Sequence, residues 1–428
     1  MTTLHLKGGR ILDPAHDRDE IADVWVVDGR LRTSPPRRPA EQTLDVRGKV
    51  LVPGFIDLHV HLREPGEEQK ETIQSGTRAA AAGGFTGVVT MPNTTPVIDS
   101  QTGVKFILSR AAAGAVVQVW PAAAVTRGQA GEEITEFGDL VAAGAVAFTD
   151  DGHPVMNNGL MRRALEYAAM FDVPILDHCQ DLHLAGGGLC REGPTALRLG
   201  LAGWPSVAES IQVARDVELA AFTGGRVHIC HVSAAESVEA IRRGKARGVA
   251  ITAEVTPHHL TLTEAALADF DADAKCNPPL PSEADREALL EALLDDTLDA
   301  IATDHAPHTP MEKERVFLEA PNGVIGLETA FGVLHTELVL PGTLSLARLI
   351  AKLTVGPARI LRRAKGTLAD GADADVTILD LNQRWGVDPD RFFSRARNCP
   401  WAGRELLGRV WATIVGGRIV YQEGRIVA

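Results

Sequence analysis

Positive charge is in short supply in this chain. Its 428 residues carry 43 Lys and Arg against 56 Asp and Glu, a formal net charge of −13. Phosphate backbones and anionic lipid surfaces require a basic footprint, so neither a nucleic acid nor a membrane is expected as partner. Long apolar runs are missing as well: no stretch reaches membrane-spanning length, and the opening Met-Thr-Thr-Leu-His-Leu-Lys-Gly-Gly has no basic segment followed by an apolar one. A soluble, cytoplasmic protein is therefore expected. Cysteine is sparse, with five residues (Cys179, Cys190, Cys230, Cys276, Cys399), an odd number with no C-x-x-C pair. That excludes a disulfide framework and a cysteine zinc cage. Cys179 and Cys230 adjoin His178 and His231, but strand alternation puts each thiol on the face opposite its imidazole, as a small buried hydrophobe. Internal repeats and charged tails are absent too.

What is present is enough chain for a large domain and a smaller one. Between residues 53 and 365, short apolar or β-branched runs alternate with Ala/Leu/Glu-rich segments of helical length. The spacing predicts strands over 55–61, 87–91, 116–120, 145–149, 174–178, 226–231, 249–254 and 300–304. Between them fall helices over 71–82, 101–113, 134–143, 158–171, 206–222, 234–247 and 283–295. Eight such units imply an α/β fold, a closed (β/α)8 barrel of the TIM type with its site at the C-terminal ends of the strands. The flanks, 1–52 and 366–428, carry short alternating runs with Gly or Asp-Gly turns, such as Trp25-Val-Val-Asp-Gly29 and Val410-Trp-Ala-Thr-Ile-Val-Gly-Gly417. They are expected to pair with each other into one small β-sandwich domain beside the barrel. The glycine-dense stretch from Ala185 to Pro205 suits either a long mobile βα loop acting as a lid or a loop that merely crosses the surface.

The run Phe55-Ile-Asp-Leu-His-Val-His61, followed by Arg63, is the densest concentration of chemistry. If it is a strand, alternation aims Asp57, His59 and His61 to one side and Ile56, Leu58 and Val60 to the other. Two neighbouring buried imidazoles are costly unless a divalent metal uses their lone pairs; two core histidines satisfied by backbone are the alternative. The rest of the chain favours metal. Good ligands recur where the expected strands end: His59 and His61 after the first, Asp150 and Asp151 after the fourth, His178 after the fifth, His231 after the sixth, Asp304 after the eighth. A barrel brings these ends together.

Four histidines and two carboxylates exceed the needs of one catalytic zinc, so two metals fit better. Two divalent ions can share a carboxylate and a hydroxide, acidifying the water and polarising a substrate carbonyl. Asp304 suits both ligand and base. Imidazoles favour zinc, although cobalt or manganese would occupy the same sites. Arg63, on the histidine face, and Asn93, past the second strand, suit a substrate carboxylate. Asn277 and His308 follow the seventh and eighth strands. His305 and the His258–His259 pair are assigned to capping and core roles.

Together, Asp57-Leu-His-Val-His-Leu-Arg63, Met91-Pro-Asn-Thr-Thr-Pro96, Phe148-Thr-Asp-Asp-Gly152, Asp177-His-Cys179, His231-Val-Ser233, Lys275-Cys-Asn-Pro-Pro279 and Ala302-Thr-Asp-His-Ala-Pro-His308 closely resemble the amidohydrolase superfamily. Within it they resemble the bacterial dihydroorotases, nearly end to end. The resemblance implies that His59, His61 and Asp304 hold one zinc, that His178 and His231 hold the other, and that Asp151 bridges them. Hydantoinases, dihydropyrimidinases, allantoinases and many other dihydroorotases use a carboxylated lysine at the bridge. This segment has none, so the branch with a bridging aspartate matches best. By the same resemblance, Arg63, Asn93 and Asn277 hold the substrate's carboxylate and ring amides, while His61, His308 and the backbone around Asn322-Gly323 complete the pocket. Two departures stand out: Gln180 where relatives often carry an acid, and Asn322 in place of a commoner aromatic.

The implied activity is dihydroorotase: reversible hydrolysis and cyclisation between (S)-dihydroorotate and N-carbamoyl-L-aspartate in pyrimidine synthesis, through a hydroxide shared by two zinc ions. Rival readings are another cyclic-amide hydrolase, such as a hydantoinase or allantoinase, and a non-catalytic barrel partner of aspartate transcarbamoylase. Chains of the latter kind typically lose metal ligands, whereas this one retains all six. Association with the transcarbamoylase is compatible with activity, and a homodimer is expected.

Overall fold

The computed structural model describes residues 3–37 and 39–427. Eight strands form one parallel sheet in sequential order: β1 (Phe55–Val60), β2 (Phe85–Thr90), β3 (Gln118–Ala123), β4 (Ala147–Phe148), β5 (Ile175–Asp177), β6 (Val227–Ile229), β7 (Ile251–Val255) and β8 (Ala300–Ile301). The first and last meet through a parallel bridge between Val60 and His305, with His61 N donating to His305 O at 2.9 Å. That contact closes the barrel. Strands buried on both faces must be apolar almost throughout, which is why these segments read as continuous hydrophobic runs.

Helices Ile73–Ala82, Gln101–Gly114, Phe137–Ala143, Asn158–Ala169, Val207–Thr223, Ala235–Ala246 and Glu283–Leu294 return the chain between strands. Their starts are written locally. Thr72 and Ser282 form capping boxes with Ser75 and Asp285, and Ser100 and Asn157 accept from first-turn amides. Each such cap stabilises its helix by about 1 kcal/mol.

One sequence expectation fails inside β1. The β1–β2 pairing shifts register between Asp57 and Val60. Ile56 and Leu58 join an apolar cluster with Val89, Trp120, Ala147, Leu176 and Ala300 that fills the barrel, while Val60 joins the core beneath the helices. Simple alternation does not survive the irregularity. Asp57 therefore parts company with the histidines. Its carboxylate instead accepts from Thr303 N at 3.1 Å and Thr303 Oγ1 at 2.6 Å, tying the start of the barrel to its end. Burial pushes this carboxyl up to about 7 despite those bonds.

The two ends of the chain meet in a nine-stranded sheet. Val376–Gly386 runs antiparallel to Val50–Pro53, joining C-terminal strands to N-terminal ones. Leu6, Ile11, Val26 and Leu31 close on Val376, Ile378, Ala412 and Ile414 in a core of their own. The turn residues behave as the sequence suggests: Asp28 and Gly29 both take positive φ, 50° and 76°, between paired Val27 and Arg30. Such values define a two-residue hairpin turn. Between Gly386 and Glu405 the chain leaves this sheet, and Ser394 and Asn398 reach the barrel.

The segment from Ala185 to Pro205 is structured. Cys190–Arg191 pairs with Gly203–Trp204, helix Pro194–Leu199 lies between them, and Arg191 donates to Ser233 O and Ser233 Oγ, both at 2.7 Å. No helix among the described residues is long and apolar enough to cross a membrane.

Candidate metal centre and substrate cavity

The C-terminal ends of the barrel strands deliver the six expected ligands to one place. Asp151, from the loop after β4, stands at its middle. Its Oδ1 lies 3.3 Å from His59 Nε2, 3.6 Å from His178 Nδ1 and 3.7 Å from His231 Nε2, and its Oδ2 lies 3.5 Å from His61 Nε2. Asp304 touches only one side of the group, 3.1 Å from His61 Nε2 and 3.5 Å from His59 Nε2. On the other side His178 Nδ1 and His231 Nε2 face each other at 2.9 Å. Two groups of candidate ligands, His59 with His61 and His178 with His231, thus share one carboxylate.

Neighbouring groups fix the imidazoles. His61 Nδ1 donates to Asn93 Oδ1 at 3.0 Å, and His178 Nε2 donates to Gln180 Oε1 at 2.9 Å. Each leaves the opposite ring nitrogen free to offer its lone pair inward. Asn93 Nδ2 also donates to Asp151 Oδ2 at 3.3 Å, and Asn277 Nδ2 to Gln180 Oε1 at 2.8 Å. The two asparagines expected to meet substrate therefore also brace the candidate ligands and Gln180. Backbone strain accompanies the site: Arg63, His231 and Asp304 have φ of 59°, 34° and 47°, a region disfavoured for residues with a Cβ. His231 is thereby released from strand alternation, and Cys230 approaches His59 and Glu254 inside the barrel instead of turning away from the site.

The charge balance tests whether a cation belongs here. Burial works against ionisation of Asp151 and Asp304, yet His59 and the other imidazoles hold both well below the ordinary carboxylate range. Burial likewise opposes charge on His59, but Asp151 and Asp304 drive it well upward. His178 is pushed down to about 4 by burial and by His231. Two ionised carboxylates thus demand positive charge at a point ringed by imidazole nitrogens, and His59 Nε2 and Asp151 Oδ1 are buried with no hydrogen-bond partner. A divalent metal centre would satisfy all of these groups at once.

Above the cluster opens a cavity of about 210 Å³ lined by His61, Arg63, Asn93, Asn277, His308, Asn322 and Gly323 along with Asp151, His178, His231 and Asp304. Every residue expected to meet substrate lines it. His59 lies beneath. Arg63 is buried, its Nε donating to Pro307 O at 3.2 Å. His308 Nε2 donates to Asn322 O at 2.8 Å, and burial beside Arg63 pushes this histidine down to about 3, leaving it neutral. Gly323 has φ of 141°, and a Cβ there would stand 2.8 Å from Ala306 O and 2.9 Å from His308 Cδ2. No lysine lines the cavity.

Sequence reasoning missed three contributors. Asn398, far away in the chain, donates to Ala306 O at 3.0 Å and Gly323 O at 2.9 Å, and its Oδ1 accepts from His308 N at 3.2 Å. Only the tertiary fold reveals it. Lys313 supports the same wall, donating to Pro321 O and Gly323 O at 3.0 and 2.9 Å. Glu254 lies beneath His59, at the end of a strand already recognised, where a glutamate in an apolar run was itself a signal. His305 and His259 are satisfied structurally, by Glu71 and Gly326 and by Thr256 and Pro278. A larger cavity of about 480 Å³ opens where Gly83, Glu328 and Trp385 approach one another, and none of the candidate ligands or expected substrate contacts lines it.

A parallel barrel with this donor set at its mouth defines a metal-dependent hydrolase of the amidohydrolase type. Family models agree: residues 48–237 match dihydro-orotase-like proteins and residues 205–421 match the amidohydrolase family. The chain is 53% identical to a dihydroorotase of Pelotomaculum thermopropionicum over 98% of its own length and 99% of that protein's. It is 52% identical to a dihydroorotase of Anaeromyxobacter dehalogenans over 99% and 98% of the two chains. Among solved structures it superposes on an L-hydantoinase from Arthrobacter aurescens with a TM-score of 0.90 at 26% identity, covering 100% and 98%. The chain belongs to the dihydroorotase family, and it is a metal-dependent cyclic amidohydrolase acting on a small molecule.

Proposed function

We propose that the enzyme interconverts (S)-dihydroorotate and N-carbamoyl-L-aspartate, supplying the ring-closing step of pyrimidine synthesis in the cytoplasm. The observation that carries this reading is Asp151, one carboxylate within reach of all four imidazoles, where the hydantoinase-like alternative calls for a modified lysine. Two zinc ions per chain suit the donors: His59, His61 and Asp304 for one, His178 and His231 for the other, Asp151 between them. When bound, these ions acidify a water molecule and polarise the amide carbonyl.

The side chains do the rest. Arg63, buried at the cavity wall, pairs with the substrate carboxylate, and a guanidinium matches that group with two parallel bonds. Asn93, Asn277 and the backbone at Asn322 and Gly323 hold the ring amides, with His61 and His308 closing the pocket. Water adds to the ring carbonyl between the methylene carbon and the imide nitrogen. Asp304, held ionised beside His59 and His61, takes the water's proton and returns it to that nitrogen as the carbon–nitrogen bond breaks. The products are the new carboxylate and the ureido group.

On this reading residues 53–365 are the hydrolase barrel, and 1–52 with 366–428 are a composite β domain. A homodimer, with or without aspartate transcarbamoylase as partner, is compatible with a site built from a single chain. A hydantoinase-like activity has the structural similarity in its favour; a panel of carboxylated and uncarboxylated rings separates the two. The test of the whole proposal is metal analysis with a dihydroorotate assay before and after chelation. Two metals per chain and chelator-sensitive turnover support it, and full metal content without turnover overturns it.

A further inference from the structure

Glu254 is fully buried, at 0% exposure, inside the barrel below the metal centre. Its two oxygens divide between two imidazoles: Oε1 lies 3.4 Å from His59 Nδ1 and Oε2 lies 3.1 Å from His228 Nε2. His228 in turn meets Thr252 Oγ1 at 2.9 Å through Nδ1. Among the described residues no lysine or arginine comes within 4 Å of this carboxylate, and its two oxygens, like the His59 Nδ1 and His228 Nε2 that face them, are buried with no hydrogen bond of good geometry, so these imidazoles are its nearest polar company. An isolated charge is costly in such a place, so a carboxylate here needs a use.

The use lies in His59. This ring turns Nε2 toward Asp151 and Asp304, so Nδ1 must carry the hydrogen if Nε2 is to offer a lone pair. Asn93 sets the tautomer of His61, and Gln180 sets that of His178. At His59 Nδ1 the carboxylate of Glu254 stands 3.4 Å away, and the thiol of Cys230 beside them is a much weaker acceptor. We propose that Glu254 is a positioning residue that holds His59 in its metal-binding tautomer and orientation, and that His228, braced by Thr252, holds Glu254. The inference rests on reading His59 as a metal ligand. Thr252, His228, Glu254 and His59 follow one another in contact, and a carboxylate at Glu254 would add negative charge behind a cation held by His59.

The experiment is retention of zinc by the purified holoenzyme across a chelator titration, with kcat and KM for dihydroorotate measured alongside. For Glu254→Met, which removes both acceptor oxygens, the chelator concentration removing half of the first metal lost should fall about 10- to 100-fold, with kcat reduced and KM unchanged. His228→Leu should shift retention the same way by less, and His228→Gln, which returns a donor, should restore most of it. A wild-type chelator profile in Glu254→Met overturns the proposal. If that variant does not fold, a wild-type profile in His228→Leu does so. His59→Asn separates the two levels of inference: full metal content in this variant overturns the ligand reading itself, whereas metal loss there with normal retention in Glu254→Met overturns only the role of Glu254.

Discussion

His178 Nδ1 and His231 Nε2 stand 2.9 Å apart, with Gln180 claiming the other nitrogen of His178. Two ring nitrogens directed at each other across so short a gap require a proton or a cation between them. His178→Asn should therefore leave about one metal per chain, the one held by His59, His61 and Asp304, with turnover reduced by at least about 100-fold. Metal analysis of the variant checks this, and two retained metals would contradict it.

Asp304 differs from Asp151 in touching only His59 and His61. On the proposed mechanism it is the carboxylate that handles the proton. Asp304→Asn should keep its metals, because an amide oxygen remains at the same place, and should lose about 10²- to 10⁴-fold in kcat. Steady-state rates paired with metal content decide; wild-type kcat would remove Asp304 from proton transfer.

Arg63 brings a buried guanidinium to a cavity that has no other arginine or lysine. Arg63→Ala should cost about 1.4–2.7 kcal/mol of binding to a carboxylated ring, a roughly 10- to 100-fold rise in KM. Arg63→Lys should recover only part of it, since an ammonium cannot pair in parallel. The comparison is made with rings that differ only in the carboxylate. An unchanged preference would refute the assignment.

Gly323 packs where no side chain fits, between Ala306 O and His308, at φ of 141°. Gly323→Ala should destabilise the fold by about 1–3 kcal/mol and disturb the cavity wall that Asn398 and Lys313 support. Thermal unfolding should show a lower Tm together with a raised KM; an unchanged Tm would mean that the wall yields without cost.

The barrel and most of the centre were legible because both are written locally. Apolar runs of strand length alternate with capped helices, and the candidate ligands follow the runs, so closure of the barrel suffices to gather His59, His61, Asp151, His178, His231 and Asp304. Alternation failed where the backbone departs from it. The irregular pairing between Asp57 and Val60 turned Asp57 away from the histidines, and the positive φ of His231 brought Cys230 inward. Asn398 was invisible for another reason: it reaches the cavity from the C-terminal segment, and no local pattern carries a contact so distant in sequence. Asn93 and Asn277 were found by their positions, but their bonds to His61, Asp151 and Gln180 gave them a bracing role that side-chain type alone does not announce. Glycine content left the local order of the segment from Ala185 to Pro205 unread, where Arg191 and buried Trp204 anchor the chain.

Anomalous diffraction from crystals of the zinc-loaded enzyme, recorded on both sides of the zinc edge, tests the account where it is most exposed. It predicts two peaks flanking the carboxylate of Asp151, one against His59, His61 and Asp304 and the other against His178 and His231. A single peak, or two peaks that Asp151 does not join, would contradict it.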